Sequence, residues 1–180
     1  VATAALAVNF PSGATDIASN GTDGWNGTMP DSNTKARFGN AGFFTASADV
    51  HFGDFEICGN PTTFTMNPNG VTRTAKVASL YMGWYDRSTT LHGGIWNLQG
   101  LGRFAACNEY GTYNTTVTLD QGCVVTNAAT LWLGYKTRNN TIKITDASRV
   151  YANGGTLNWD STGVNELLEV SSGGQLHIIN

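Results

Sequence analysis

Charge is scarce in this chain. Only 13% of its 180 residues are Asp, Glu, Lys or Arg, about half the usual share in a globular protein. The formal net charge is −3, so no excess of basic residues indicates nucleic acid or an anionic membrane as a partner. No apolar run approaches the roughly 18 residues that a membrane-spanning helix requires. We therefore expect neither nucleic-acid binding nor a membrane span.

Cysteine is also rare, and its number is odd. Cys58, Cys107 and Cys123 cannot all pair within one chain. No Cys-x-x-Cys motif or Cys/His cluster is present, which argues against a zinc site. Two interpretations remain open: three small buried hydrophobic residues, or a single Cys107–Cys123 bridge.

Small polar residues and glycine take the place of charge. The chain has 24 threonines, 22 glycines and 18 asparagines, a mixture that disfavours helices and favours strands, turns and stacked polar side chains. Its 19 aromatic residues argue against disorder. So little charge with so much Thr and Asn is typical of an exported protein, and we predict an extracellular or cell-surface location. The first seven residues contain no basic residue, so we interpret them as mature chain rather than a signal peptide.

The strongest signal is an internal repeat of about 26 residues. Residues 79–91 align with 130–142 at an offset of 51, which is close to two units. At an offset of about one unit, equivalent positions hold asparagine: Asn114, Asn139 and Asn165 in one set, and Asn127 and Asn153 in another. Leu91 aligns with Val117 at the same offset. Within each unit, apolar and polar residues alternate in three short strands separated by turns. This pattern predicts an all-β fold, a parallel β-solenoid with one unit per coil and about seven coils in all.

The two halves of the chain differ in regularity. Residues 79–180 hold the regular repeats, whereas residues 1–78 contain irregular coils and a partial cap in which Trp25 and Met29 cover one end. We treat both halves as one continuous domain. The inward positions are predicted to be Ile142, Ile144, Val150, Leu157, Leu168, Val170 and Leu176. At least one of the two asparagine columns is predicted to form an amide ladder, inward or at a corner.

The repeats resemble those of a known class. The segments 139–146 and 168–176, with the Leu-Gly-Tyr piece in 131–135, are similar to the repeats of bacterial exported β-solenoids, the autotransporter-passenger-like and sorting-signal-associated repeat proteins. The resemblance covers residues 79–180 and implies an extracellular right-handed β-helix with a structural or adhesive role. The resemblance assigns no catalytic residue to this chain.

Four Asn-x-Ser/Thr sequences are open to N-glycosylation, at Asn20, Asn26, Asn114 and Asn139. Because a ladder would occupy Asn114 and Asn139, Asn20 and Asn26 are the favoured sites if any glycan is present.

Few ionisable residues have a pattern that turns and surface positions do not explain. Asp120 and Asp146 are one repeat unit apart and are predicted to stack at one corner, most simply as turn residues, although a Ca²⁺ site or an acid/base pair is the alternative. Arg87 and Arg138 are expected on a solvated face. The three histidines, His51, His92 and His177, are expected to have no acidic partner. We predict no catalytic residue, no metal site and no cofactor.

The aromatic residues allow two interpretations. Trp84, Tyr85 and Tyr135 follow the repeated glycine, so they line either the solenoid interior or an outer strip able to stack on sugars. The other four tryptophans, Trp25, Trp96, Trp132 and Trp159, are expected in core or cap positions.

Three functions remain. The first is a structural subunit of an extracellular fibre or surface assembly, polymerising with itself head to tail. The others are an adhesin or carbohydrate-binding fragment, with surface glycans as partners, and a polysaccharide lyase or hydrolase. We favour the first, because neither terminal strand carries a charge to prevent strand pairing. The predicted interface comprises Leu6, Val8, Phe10, Leu176 and Ile178.

Overall fold

The protein folds as a stack of parallel strands. The computed structural model describes residues 6–59, 61–83, 86–105, 113–133, 138–154, 156–159 by their backbone, and 165–179. Apart from a short 3₁₀ turn at Pro68–Gly70, the regular elements of this part of the chain are strands. In chain order they are β1 (Ala7–Asn9), β2 (Lys35–Phe38), β3 (Gly42–Thr45), β4 (Val50–Ile57), β5 (Thr62–Thr65), β6 (Thr74–Met82), β7 (Ser88–His92), β8 (Ile95–Leu98), β9 (Leu101–Phe104), β10 (Thr116–Asp120), β11 (Val124–Thr126), β12 (Thr130–Leu133), β13 (Thr141–Ile144), β14 (Arg149–Ala152), β15 (Thr156–Trp159), β16 (Leu167–Val170) and β17 (Gln175–Ile178).

The strands form three faces. Face B is a sheet of six strands in the order β3, β5, β7, β10, β13, β16. Face A contains the first part of β4 and of β6, then β8, β11, β14 and β17. Face C contains β1, β2, the second part of β4 and of β6, then β9, β12 and β15. The chain visits B, A and C in turn, which makes a parallel β-solenoid of about six turns with about 26 residues per turn and confirms the predicted fold class.

Three of the seven predicted inward residues are buried in the core of the regular half. Ile142, Ile144 and Val150 are at most 2% exposed. Leu168 and Leu176 in the last described turn are half-buried against the same core, and Val170 is 45% exposed. Leu157 lies in β15, whose side chains fall outside the described part of the structure.

Coil length is less regular than the repeat suggests. On face B the paired inward residues are, from coil to coil, Phe64, Leu91, Leu119, Ile144 and Val170. The step from β7 to β10 is the longest of the four and the step from β10 to β13 is the shortest. Leu91 therefore faces Leu119, and the alignment of Leu91 with Val117 is wrong by two positions. The longer step keeps the same side of the strand inward, because a slip of two residues preserves the alternation.

The N-terminal half makes its coils differently. In β4 and β6 a single strand passes from face A to face C, whereas the later coils use two strands separated by a corner. Residues 6–34 contribute only β1 and one bridge, Asp16 to Thr45, to the sheets. The expected count of seven coils is therefore too high.

An aromatic core fills these irregular coils. Trp25 is fully buried, its Nε1 donates to the carbonyl of Ile17 at 2.8 Å, and its ring centroid lies 4.7 Å from that of Phe10. Phe38 stacks on Phe55 with ring centroids 4.6 Å apart. Trp25 and Trp96 are core residues, as predicted. Large rings bury much apolar area each, so they fill an interior that unequal coils leave without the aliphatic columns of the regular half.

Candidate functional site

Both predicted asparagine columns are hydrogen-bonded ladders at solenoid corners. Asn165 Nδ2 donates to Asn139 Oδ1 at 3.0 Å, and Asn139 Nδ2 donates to Asn114 Oδ1 at 3.2 Å. Asn114 in turn donates to the Asp86 carboxylate at 2.7 Å. The second ladder joins Asn153, Asn127 and Asn97 through two bonds of 2.8 Å. Each donated bond points towards the preceding coil, so both ladders have the same direction along the solenoid.

The asparagines of the first ladder also have a backbone conformation that most residues disfavour. Asn114, Asn139 and Asn165 have φ values of 50°, 56° and 58°, in the left-handed region that asparagine tolerates better than most residues. The column therefore needs asparagine for two separate reasons, its amide and its backbone conformation.

Two substitutions of Asn139 separate these reasons. Asn139→Gly removes the amide but keeps the φ accessible, so we expect a loss of about 1 kcal/mol in the free energy of unfolding. Asn139→Ala adds the left-handed penalty and is expected to cost roughly 1 kcal/mol more. Urea unfolding followed by circular dichroism measures both. Equal stability of all three proteins, or a glycan found on Asn139, would contradict the ladder.

The loop between β1 and β2 contains the other two glycosylation sequences. Asn20 and Asn26 are both exposed, and Asn26 lies at a turn with a φ of 50°. Their modification stays a prediction.

A buried carboxylate lies on face C. Glu56 is 2% exposed, and its side chain lies 3.2 Å from Lys35 Nζ and 3.1 Å from Arg37 Nη2. Burial opposes ionisation, but the two positive charges and their hydrogen bonds outweigh it and hold the pKa of Glu56 below its ordinary value. This cluster links β2 to β4, and the repeat pattern does not predict it, because that pattern indicates carboxylates only at the corners.

The lowered pKa gives the cluster a predictable pH dependence. The ionised form is favoured in the folded state, so its contribution to stability is complete above the unfolded pKa and is lost as pH falls through the folded pKa. Glu56→Gln should lower the free energy of unfolding by about 2 kcal/mol at pH 7. The difference between the two proteins should shrink towards pH 3, as urea titrations at several pH values would show. A constant difference would contradict the assignment.

Outward side chains on face C continue this cluster as a column. Glu56 pairs in register with Tyr81, Tyr81 with Arg103, and Arg103 with Trp132. The Arg103 guanidinium lies 5.5 Å from the Tyr81 ring centroid and 6.0 Å from that of Trp132. Trp132 is thus a half-buried outward residue, and its expected core position is wrong because β12 places Leu131 and Leu133 inward instead.

The outer aromatic strip stays a prediction. Trp84, Tyr85 and Tyr135 fall outside the described residues, as do the side chain of Trp159 and Cys107. Cys58 and Cys123 are buried and form no disulfide, which favours the interpretation as buried hydrophobic residues over a Cys107–Cys123 bridge. Burial, with a smaller contribution from the Asp120 charge, raises the pKa of the Cys123 thiol, so it is a poor nucleophile.

His92 has an acidic partner, contrary to our expectation. Its Nδ1 contacts the Asp120 carboxylate on the adjacent strand of face B, because the step from β7 to β10 is longer than one repeat unit. Asp146 instead accepts a hydrogen bond from the backbone N–H of Gln121 at 3.1 Å, so the predicted Asp120–Asp146 stack is not formed. Arg87 is half-buried and donates to the carbonyl of Cys58, whereas Arg138 is exposed as expected.

No group of three metal-ligating side chains occurs in the part of the chain that the structure describes. Nor does any helix within those residues have the length and apolarity to cross a membrane.

The predicted interface residues divide between surface and core. Leu6 is 75% exposed and Ile178 is 47% exposed, while Val8 and Leu176 are half-buried against the core. Phe10 is 3% exposed and packs on Trp25, so it supports the first coil from inside and is not itself accessible.

Comparisons with known proteins give no relative: no family model, curated protein or solved structure matches this chain.

Proposed function

We propose that this chain is a structural subunit of an extracellular fibre or surface assembly in which solenoids stack head to tail. The observation that carries the proposal is the uncovered interior of the last described turn. Val170 and Ile178 are 45% and 47% exposed, although their in-register neighbours Ile144 and Ala152 are fully buried. A further layer of strands would bury them.

The opposite end of the solenoid also exposes apolar surface. β1 is an edge strand of face C that pairs with β2 on one side, and Leu6 beside it is 75% exposed. Neither β1 nor β17 contains a charged residue that would oppose strand pairing. Transfer of each half-exposed aliphatic side chain into a new layer contributes on the order of 1 kcal/mol.

The asparagine ladders also support stacking. Asn165 and Asn153 donate to the coil before them, and neither carboxamide oxygen accepts a bond from another described residue. A donor in a following layer would extend each ladder by one more bond. The extracellular part of the proposal is supported by the low charge and high Thr and Asn content of the chain.

The carbohydrate-binding alternative has weaker support from the described aromatic residues. Tyr81 and Trp132 lie beside the Arg103 guanidinium, and Tyr151 stacks on His177 with centroids 4.7 Å apart. Ring faces engaged in this way are less available to a sugar ring.

Sedimentation velocity of the purified protein over a wide concentration range tests stacking directly. We expect species whose size grows with concentration, and filaments in negative-stain micrographs, since head-to-tail contact that does not close makes an open polymer. A protein that remains monomeric at the highest concentration would overturn the proposal.

A further inference from the structure

Seven threonines occupy outward positions of face B, and three of them are consecutive in its central column. Thr63, Thr90 and Thr118 pair in register across β5, β7 and β10. Thr45 pairs with Thr65, and Thr116 pairs with Thr141. We call these seven residues the threonine array. All are exposed or half-exposed, whereas the residues between them on the same strands point into the core.

The register gives the array a repeat in two directions. Neighbouring strands lie about 4.8 Å apart, and alternate residues along a strand are separated by about 6.6 Å. Side-chain ladders of the kind found at two corners of this solenoid also oppose the usual twist of a sheet. The seven threonines therefore occupy points of a nearly rectangular grid. Neighbouring points in the columns of Thr65 and Thr116 are held by His92, Asp120 and Ser88.

The hydroxyls of the array are available to solvent. None of the seven makes a side-chain hydrogen bond to another described residue, in contrast to the inward Thr62 and Thr89, whose hydroxyls lie 3.3 Å apart. Each outward hydroxyl can therefore bind a water molecule, and the spacing of these waters follows that of the hydroxyls.

The chemistry of face B excludes other kinds of ligand. Its ionisable side chains already contact one another, Lys143 with Glu169 at 3.7 Å and Asp120 with His92, so few of them are open to an ionic ligand. Among the described residues, Phe43 on the first strand is the exposed aromatic residue of this sheet, so sugar rings would find few stacking partners. We infer that the threonine array binds ice, an uncharged surface of water oxygens that also repeats in two dimensions.

The test places lysine in the array and on another face. Thr90→Lys with Thr118→Lys should abolish inhibition of ice recrystallisation and ice shaping by the wild-type protein. The fold tolerates lysine in this column, since Lys143 already occupies it next to Thr118. The matched control is Thr74→Lys with Thr126→Lys on face A, where both residues also point outward. It adds the same charge and should retain wild-type activity.

A second variant should improve the surface. Lys143→Thr with Glu169→Thr extends the central column by two threonines at the loss of one exposed ion pair, and should increase ice recrystallisation inhibition severalfold. The inference is overturned if the wild-type protein leaves ice growth unchanged, if the face A variant loses activity equally, or if the array retains crystalline cellulose or chitin but not ice. Because ice binding requires only one solenoid, this result is independent of whether subunits stack.

Discussion

Replacing Ile144 with aspartate is expected to unfold the regular half of the protein at urea concentrations that leave the wild type intact. Ile144 is fully buried, between Leu119 of the preceding coil and Val170 of the next. A carboxylate there has no cation within its column, so either an unpaired charge or a neutralised acid must be buried. The expected cost is about 4 kcal/mol or more in the free energy of unfolding. Urea titration followed by circular dichroism measures it.

Two controls distinguish burial from the local sequence. Thr141→Asp makes the same charge in the same strand but on the outward side, and should change stability by less than about 1 kcal/mol. Ile144→Val keeps the position apolar and should cost roughly 1 kcal/mol. If Thr141→Asp were as damaging as Ile144→Asp, the inward assignment of this column would be wrong.

The consequences of Ile144→Asp should be unequal along the solenoid. Each coil contacts its immediate neighbours, so a defect in one coil removes support mainly from those beside it. Hydrogen exchange should accelerate in β10, β13 and β16 and remain slow around Phe38 and Trp25 in the aromatic core. Uniform acceleration would instead indicate that all coils unfold together.

The sequence alone predicted the solenoid because its strongest signals are set by geometry that every coil must share. Asparagine at a left-handed corner and aliphatic residues facing inward recur wherever one coil lies on another, as Asn139 on Asn114 and Ile144 on Leu119 do. These positions can be predicted from the repeat without any side-chain contact. The same logic predicts the ladders and the inward column from the sequence.

Register between unequal coils could not be predicted in this way. The step from β7 to β10 is two residues longer than the step from β13 to β16. The extra residues lie between the strands, so the inward and outward alternation within each strand is unchanged. The periodicity therefore stayed visible while its phase shifted, which hid the His92–Asp120 contact. The step from β10 to β13 is one residue shorter than the step from β13 to β16, so Asp146 lies beside Gln121 and not beside Asp120. Glu56 was missed for a related reason: the step that brings it beside Arg37 is much shorter than one repeat unit.

The position of Trp132 shows a third feature that the sequence did not predict, the outward placement of a large aromatic residue. Size and hydropathy favour tryptophan in the core, but strand alternation gives that place to Leu131 and Leu133. The outward side is stabilised by Arg103, whose contact arises from the pairing of β9 with β12 and not from anything near Trp132 in sequence.

Charges placed at both ends of the solenoid are expected to abolish assembly and leave the coils folded. Leu6→Lys with Ile178→Lys puts an ammonium on each of the two surfaces that stacking would bury, where its desolvation opposes contact. Both positions are exposed, so the circular dichroism spectrum and urea midpoint should stay near those of the wild type. Sedimentation velocity should then show a monomer. The matched control, Thr118→Lys with Thr126→Lys, adds the same charge to the sides and should still polymerise.

The single variants test whether the contact is truly head to tail. A heterologous interface uses a different surface on each partner, so Leu6→Lys alone keeps one functional end and Ile178→Lys alone keeps the other. Each should be monomeric by itself, and an equimolar mixture should form dimers that grow no further. Side-by-side or symmetric association predicts a different result, because the mixture would then behave like its components. Polymer formation by the double variant, or a mixture that stays monomeric beside a wild type that assembles, would show that stacking does not proceed through these two ends.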